Sequence, residues 1–474
     1  MDYQSKISHQ LRDLPRSGIR DFFELVIGRP DVISLGVGEP DKPTPWAIRE
    51  AAIRSLERGQ TSYTSNLGLE SLRVAISGYV QEQFRVTYDP KKEILVTVGV
   101  SEALDIAFRA LLNPGDEVIY HEPCYVSYSP TIKMAYGVPV IVETREENHF
   151  ALMAEDVEKA ITPKTRVITL NFPTNPTGGI MPEAELAKIA ELAVKHDLIV
   201  VTDEIYCELL YDERQHKSIV EFPGMRERTI LLHGFSKTFA MTGWRLGYAC
   251  APAPLVEAMM KIHQYGILCA PIMSQMAGLE ALAQGKAAYE DMRDSYEQRR
   301  NKIVERLNGM GLRCFNPGGA FYVFPEITST GLTSKDFAIR LLNEHSVAVV
   351  PGTAFGALLL RDGAGLDRPG DGRDGKFCHA CSFGQGGGMT ALRVIACGAA
   401  ILLAACDGEN APPPPSSDGE MAYRTACASC HQWDGRGLPG MYPPLAGVDW
   451  VQTDDPAKLI RIVLHGMVGP VRVN

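Results

Sequence analysis

The chain has 474 residues, of which 45% are hydrophobic, so it is long enough to bury a large core and to form more than one domain. Its 47 basic and 57 acidic residues give a formal net charge of −10, and like charges do not occur in blocks. This balance argues against binding to nucleic acid or to an anionic membrane surface, and it favours chemistry on small molecules.

The first part of the chain has the pattern of a layered α/β domain. Its N-terminus, MDYQSKISHQLRDLPRSG, lacks the apolar stretch of a secretory signal, so this domain is expected to be cytoplasmic. From about Ile94 onward, short β-branched runs alternate with helical patterns, which predicts a mainly parallel sheet covered by helices. Ligands bind such sheets at the carboxyl ends of the strands. The polar or glycine-rich breaks at those ends are expected to share one site, and they read GVSEA, NFPTNPTGG, DEIY and GFSKT.

A smaller α/β lobe is predicted to follow. A long helical pattern covers about residues 287–308, and the apolar run VAVVPGTAFG reads as a final strand. Beyond Gly356 the sequence is rich in Gly, Asp and Arg without periodicity, which is typical of an unstructured linker over residues 357–388. We therefore predict a domain boundary at about Gly356.

The segment 389–406, MTALRVIACGAAILLAAC, has one Arg and a short apolar core that ends in small residues before Cys406. It is too short for a confident membrane-spanning helix and resembles a bacterial lipoprotein signal, with a buried helix as the alternative interpretation. The proline-rich residues 407–419 read as a tether.

Five motifs follow one another in the first part of the chain: SLGVGEPDKPTP, TSYTSNLGLESLR, NFPTNPTGG, TDEIY and GFSKTFAMTGWRLGY. In this order they resemble the class I aminotransferases of the aspartate-aminotransferase type, which are pyridoxal-phosphate enzymes of fold type I. The resemblance covers residues 1–356. It implies a large cofactor-binding domain over about residues 46–290 with a seven-stranded, mainly parallel sheet, and a small domain made of the N-terminal arm and about residues 291–356. It also implies a homodimer with shared active sites.

Three residues are predicted to be catalytic: Lys237, Asp203 and Tyr206. Lys237 lies between the apolar segments TILLHGF and FAMTGW, where partial desolvation favours a neutral, nucleophilic amine. The resemblance implies that it forms the Schiff base with pyridoxal phosphate and then moves protons as general base and acid. Asp203 ends the apolar strand LIVVTD, where a carboxylate needs a cationic partner. The resemblance supplies the protonated pyridine nitrogen. A surface lysine and a helix-capping aspartate are the alternative interpretations.

A phosphate site is predicted beside them. The turn Gly99, Val100 and Ser101 leads from a strand into a helix, so that its N–H groups and the helix dipole can hold an anion. The resemblance implies that Ser236 and Arg245 complete this site, with bidentate contacts from the arginine.

The resemblance also assigns roles to residues around the ring and the substrate. It implies that Tyr206 and Asn175 reach the phenolic oxygen of the ring and that Tyr125 stacks on the ring. The resemblance implies that Tyr125 and Asn175 also contact the substrate. Tyr63 is implied to reach the phosphate of the neighbouring subunit. Gly38 lies where the main chain approaches the substrate carboxylate, an approach that the absence of a side chain permits.

The chain departs from this pattern after Gly356. We find no segment of the form V-R-[small/polar]-[Ser/Cys]-[Tyr/Phe], which in these enzymes forms a strand carrying the arginine for the substrate α-carboxylate. That arginine and the closing helix are therefore expected to be absent, which weakens substrate binding by about 2–5 kcal/mol. The predicted reaction is transamination between an L-amino acid and a 2-oxo acid in two half-reactions. Another reaction of the same cofactor and fold, such as a β-lyase, is the alternative.

The tail carries a second motif. Cys427, Cys430 and His431 form C-x-x-C-H, the signature of covalent haem attachment with the histidine as an axial ligand. With GRGLPGMYPPLAG, it makes residues 420–474 resemble part of a class I cytochrome c, a mostly α-helical fold. Zinc binding and a redox dithiol are the alternatives. An electron-transfer lipoprotein is thus a rival function, with membrane attachment only if the signal at 389–406 is used.

The two halves differ in the compartment that their chemistry requires. The simplest explanation is an aminotransferase frame joined to the start of a neighbouring lipoprotein cytochrome by a frameshift, an assembly error or read-through. A deliberate bifunctional fusion is the alternative.

Overall fold

A computed structural model of the chain describes residues 1–12, 14, 29, 31–36 and 38–356, and the backbone of the strand Cys378–Cys381. The signal-like, tether and cytochrome-like segments predicted at 389–406, 407–419 and 420–474 lie outside the described residues, as do Cys427, Cys430 and His431.

The described elements alternate between strands and helices. In chain order, strands β1 to β12 are Ile33–Ser34, Ile94–Thr97, Glu117–Glu122, Val138–Glu143, Thr165–Leu170, Ile199–Asp203, Thr229–Gly234, Gly247–Cys250, Tyr322–Val323, Val347–Ala348, Val350–Pro351 and Cys378–Cys381. Helices α1 to α11 are His9–Arg12, Trp46–Glu57, Glu70–Phe84, Gly99–Leu111, Tyr128–Met134, Ala154–Ala160, Glu183–Lys195, Ala253–Gly266, Ile272–Gln284, Lys286–Gly309 and Ser334–His345.

A seven-stranded sheet carries the site. Its strand order is β2-β8-β7-β6-β5-β3-β4. Strands β7, β6, β5, β3 and β4 run parallel, whereas β8 is antiparallel to both of its neighbours. The predicted mainly parallel sheet of an α/β fold is therefore confirmed.

Helices cover both faces of this sheet. Alternate residues of a strand point to opposite faces, and in β2 the side chain of Leu95 packs with α4, α5 and α8 while Ile94 and Val96 pack with α2, α3 and α9. Helices α6 and α7 lie on the same face of the sheet as α2, α3 and α9, and they cover β5 and β6. Strands buried on both faces read as continuous apolar runs, which is why the sequence predicted them.

The small lobe contains two further sheets and corrects two predictions. The apolar run from Val347 does not form one strand: β10 pairs with β1 in parallel, and β11 pairs with β12 in an antiparallel sheet of order β11-β12-β9. The prediction of an unstructured linker over 357–388 is wrong for Cys378–Cys381, which form a strand. This four-residue strand contains no β-branched residue, so its composition gave no strand signal.

Strand β12 reads Cys378, His379, Ala380 and Cys381 and contains no arginine. Among the described residues, no helix is long and apolar enough to cross a membrane.

Candidate active site

A cavity of about 380 Å³ lies at the carboxyl ends of β5, β6 and β7, beside the start of α4. This volume is within the range of small-molecule sites. Tyr322 of β9 and the N-terminal segment close it from the small lobe. The predicted residues that line it are Gly38, Val100, Ser101, Tyr125, Asn175, Asp203, Tyr206, Ser236, Lys237 and Arg245. The polar breaks after the strands thus meet at one site, as expected for the ends of parallel strands.

Lys237 follows β7 and brings a partly buried amine to the cavity. Its Nζ donates a hydrogen bond to the main-chain oxygen of Gly38 across 2.5 Å. The same Nζ lies 5.7 Å from the centre of the Phe321 ring. The amine is therefore held at the junction of the central sheet, the N-terminal segment and the small lobe.

Asp203 is the last residue of β6 and is buried. Burial raises the pKa of its carboxyl group to about 7, although hydrogen bonds from Tyr128 Oη (3.0 Å) and the N–H of Ile205 (3.2 Å) act in the opposite direction. The positive charge of Lys237 also lowers this pKa. A second cation in the cavity would favour the ionised carboxylate further.

Asn175, Tyr206 and Tyr322 form a polar cluster on one wall of the cavity. The Tyr206 and Tyr322 hydroxyl oxygens lie 2.5 Å apart. The Asn175 amide donates to Tyr322 across 3.3 Å and, at 3.5 Å, lies at the limit of a bond to Tyr206. Asn175 Oδ1 is buried and has no hydrogen-bond partner among the described residues. The cluster therefore has unused acceptor capacity for a ligand.

Gly99 lies behind the cavity lining and makes room for Arg245. Its φ of +77° is in the region that favours glycine, and a Cβ built there would lie 2.8 Å from Arg245 Nη2. Arg245 is fixed on its other side, where Nη1 donates to the carbonyl oxygen of Thr242 across 3.1 Å. The guanidinium thus lies against the N-terminus of α4, beside Ser101 and Ser236 of the lining.

Tyr63, like Gly99, is a predicted site residue that does not line the cavity. Its side chain is 83% exposed. Four other aromatic side chains of the described residues are also exposed: Tyr3 at 72%, Trp46 at 59%, Tyr136 at 57% and Tyr265 at 88%. The implied contact of Tyr63 with a neighbouring subunit therefore remains a prediction.

Sequence reasoning missed several residues of the site. Tyr322 lies in the apolar run GGAFYVFPEI, where an aromatic residue looks like part of a core. Asn171 Nδ2 donates to the main-chain oxygen of Asp203 across 2.9 Å and so supports the end of β6. Its position four residues before Asn175 was the available signal.

A buried ionic network lies in the turn behind Asp203. Glu204 accepts hydrogen bonds from His216 (2.7 Å), Ser218 (2.5 Å) and Thr202 (2.8 Å). Burial raises the pKa of Glu204, but His216 and the hydroxyl groups outweigh it, so that the net pKa is lowered. Burial lowers the pKa of His216, but the Glu204 charge outweighs it, so that the net pKa is raised. The two side chains therefore form an ion pair.

Comparison with known proteins supports the assignment of this site. The family model for aminotransferase class I and II matches residues 30–373, and the model for cytochrome c matches residues 416–472. The chain is 54% identical over 352 residues to the putative aminotransferase YugH of Bacillus subtilis, covering 74% of this chain and 91% of that protein. It is 47% identical over 342 residues to an aspartate aminotransferase of Pyrococcus abyssi, covering 72% and 88%.

A solved structure gives the same result. The aromatic aminotransferase of Pyrococcus horikoshii superposes with a TM-score of 0.72 at 42% identity, over 80% of this chain and 97% of that one. These relatives are named as aminotransferases, which favours transamination over the alternative β-lyase reaction. Because the family model matches most of the chain and the predicted strand-end residues meet in one cavity, the chain belongs to the class I and II aminotransferases.

Proposed function

We propose that the cavity binds pyridoxal 5′-phosphate and that the enzyme uses aspartate or an aromatic amino acid as its amino donor. The observation that carries the proposal is the presence of the Lys237 amine and the buried Asp203 carboxyl group in one cavity. The cofactor presents an aldehyde to an amine and a basic ring nitrogen to an acid, and these two residues match both groups.

The rest of the lining fits the other parts of this cofactor. A phosphate group needs cations and N–H donors, which Arg245 and the start of α4 supply beside Ser101 and Ser236. A phenolic ring oxygen needs donors, which Asn175 and Tyr206 supply. Tyr125 lines the same cavity and offers an aromatic face to the ring.

Lys237, Asp203 and Gly38 have different roles in the proposed reaction. When bound, the cofactor supplies an electron-poor ring that takes up the electron pair released from the substrate Cα–H bond. Lys237 Nζ accepts the proton from that carbon and returns it at a different carbon. Asp203 holds the proton of the ring nitrogen and keeps the ring positively charged. Gly38, whose carbonyl oxygen holds Lys237 Nζ, provides main-chain groups for the substrate carboxylate.

The choice between the two donor classes rests on the relatives. The Pyrococcus abyssi relative is named as an aspartate aminotransferase and the Pyrococcus horikoshii structure as an aromatic aminotransferase. The acceptor in either case is a 2-oxo acid.

The visible absorption spectrum of the purified chain with pyridoxal phosphate tests the proposal. We expect a band from the lysine-bound cofactor that disappears in Lys237→Ala and remains in Lys261→Ala, whose lysine side chain is 66% exposed on α8. Separate additions of aspartate, phenylalanine, alanine and glutamate identify the donor as the one that bleaches this band. A band that survives in Lys237→Ala would contradict the assigned lysine.

We also propose that the enzyme is a homodimer. The exposed aromatic residues Trp46, Tyr63 and Tyr265 support an intersubunit surface, since large exposed apolar side chains are typical of interfaces. Light scattering after size exclusion should give twice the chain mass of 51.9 kDa. If the dimer places Tyr63 at the partner's phosphate, Tyr63→Phe should weaken cofactor binding without dissociating the dimer. A monomeric mass would contradict this proposal.

The cytochrome c match at residues 416–472 favours a second candidate function for the tail. We propose covalent haem attachment at Cys427 and Cys430 with His431 as an axial ligand, whereas the aminotransferase part acts in the cytoplasm. Expression in a host that attaches haem outside the cytoplasm should give a full-length, haem-stained band on a denaturing gel. The variant Cys427→Ser with Cys430→Ser should be unstained. An unstained wild-type band contradicts haem attachment.

The joining of the two parts is tested on the DNA. We propose that a frameshift, an assembly error or read-through joins them, so resequencing of the region that encodes residues 356–389 should reveal an altered frame or a stop. An uninterrupted frame in independent isolates would support a deliberate fusion instead.

A further inference from the structure

The hydroxyl group of Tyr322 connects the small lobe to the polar wall of the cavity. Tyr322 lies on β9, its side chain is fully buried, and it lines the same cavity as Lys237. Its Oη is 2.5 Å from Tyr206 Oη and accepts a hydrogen bond from Asn175 across 3.3 Å. One residue of the small lobe therefore contacts both side chains that are proposed to face the phenolic oxygen of the ring.

The donors and acceptors of this cluster favour one arrangement of protons. A phenol has a single proton to donate and can accept at its oxygen. The Tyr322 oxygen already accepts a hydrogen bond from the Asn175 amide. When Tyr322 donates its own proton to Tyr206, its hydroxyl group acts both as an acceptor and as a donor. Tyr206 is then an acceptor in that contact, and its own proton is directed at a different acceptor.

Packing fixes the position of the Tyr322 hydroxyl. A Cβ built at Gly38 would lie 3.1 Å from Tyr322 Oη, so the N-terminal segment rests directly on this group. On the strand itself, Tyr322 is the register partner of Cys381 in β12. The hydroxyl is thus held between the central sheet, the N-terminal segment and the small sheet.

We infer that Tyr322 is a positioning residue that holds Tyr206 as a hydrogen-bond acceptor, so that the Tyr206 proton is donated to the phenolic oxygen of the cofactor. The inference rests on the proposed cofactor site and adds a residue to it. A donor at that oxygen stabilises its deprotonated form. The Tyr322 hydroxyl therefore lowers the pH at which the bound cofactor changes its visible absorption.

Spectrophotometric pH titration of the cofactor-loaded enzyme, without substrate, tests the inference. Tyr322→Phe keeps the ring and removes the hydroxyl, and we expect the midpoint to rise by about 0.5–1 pH unit. Tyr322→Met removes the same hydroxyl with a different side chain and should shift the midpoint in the same direction. Tyr211→Phe is the matched control: its buried hydroxyl donates to the main chain at Ala320, so its midpoint should equal that of the wild type.

A double-variant cycle tests whether Tyr322 acts through Tyr206. We expect Tyr206→Phe to raise the midpoint more than Tyr322→Phe does, and the double variant to match Tyr206→Phe alone. The inference is overturned if Tyr322→Phe titrates like the wild type while Tyr206→Phe shifts, or if the two shifts add in the double variant. A wild-type chain that forms no cofactor band overturns the proposed cofactor site, and this inference with it.

Discussion

The hydroxyl of Tyr128 donates a hydrogen bond to Asp203 Oδ2 across 3.0 Å. Tyr128 is the first residue of α5 and Asp203 the last of β6, so the bond joins a covering helix to the carboxyl end of a central strand. Burial raises the pKa of the Tyr128 hydroxyl well above its ordinary range, which keeps it protonated as a donor. The bond in turn lowers the pKa of Asp203 against the effect of burial.

Removal of this bond should weaken cofactor binding. In Tyr128→Phe the pKa of Asp203 rises further, so less of the carboxylate is available to the ring nitrogen, and the Kd for pyridoxal phosphate should increase about fivefold, as expected for about 1 kcal/mol. Titration of the apoprotein at pH 8 measures this. Tyr120→Phe removes a similar buried bond, to Glu122 (2.7 Å), away from the cavity lining and should leave the Kd unchanged. Equal affinities of wild type and Tyr128→Phe would refute the prediction.

Two buried carboxyl groups should make the apoprotein less stable as the pH rises. Burial raises the pKa of Asp203 and of Glu208 to about 7 each, so between about pH 4 and 7 the folded state binds more protons than the unfolded state. The stabilisation of the folded state by these two groups is therefore fully present below the pKa that each has in the unfolded chain. It is lost as the pH rises through about 7.

Urea unfolding of the apoprotein between pH 4 and 8 measures this loss. At about 1.36 kcal/mol per pKa unit, each group should contribute a few kcal/mol. Asp203→Asn and Glu208→Gln should each flatten the pH profile. Bound pyridoxal phosphate should remove the contribution of Asp203 to this loss of stability, since the positively charged ring favours the ionised carboxylate. A variant profile as steep as that of the wild type would show that the substituted group is not responsible.

Gly99→Ala should impair the proposed phosphate site more than the fold. The new Cβ adopts an unfavourable φ of +77° and lies 2.8 Å from Arg245 Nη2, so the guanidinium must move. We expect the Kd for pyridoxal phosphate to rise at least about tenfold, with a loss of about 1–2 kcal/mol in the free energy of unfolding. Gly331→Ala is the control, since it has a φ of +68° with nothing within 4 Å of the new Cβ. It should lose stability and keep its affinity, and similar affinities for the two variants would contradict the role of Gly99.

The sequence predicted the parts of the site that belong to the central sheet, for a physical reason. Parallel strands buried on both faces are continuous apolar runs, and the polar residue that ends such a run stands out, as Asp203 does at the end of LIVVTD. Tyr322 did not stand out, because its role depends on the approach of the small lobe to the central sheet, which no local pattern records. The strand Cys378–Cys381 was missed because its pairing with β9 and β11, and not its composition, makes it a strand.

The Glu204–His216 ion pair should matter more to folding than any exposed ion pair. Both side chains are buried, and His216→Phe leaves the Glu204 carboxylate without its cation. We expect a loss of about 3–5 kcal/mol in the free energy of unfolding, measured by urea denaturation at pH 7. The double variant with Glu204→Gln removes both charges and should recover part of this loss. A double variant as unstable as the sum of the single variants would show that the pair has no coupling.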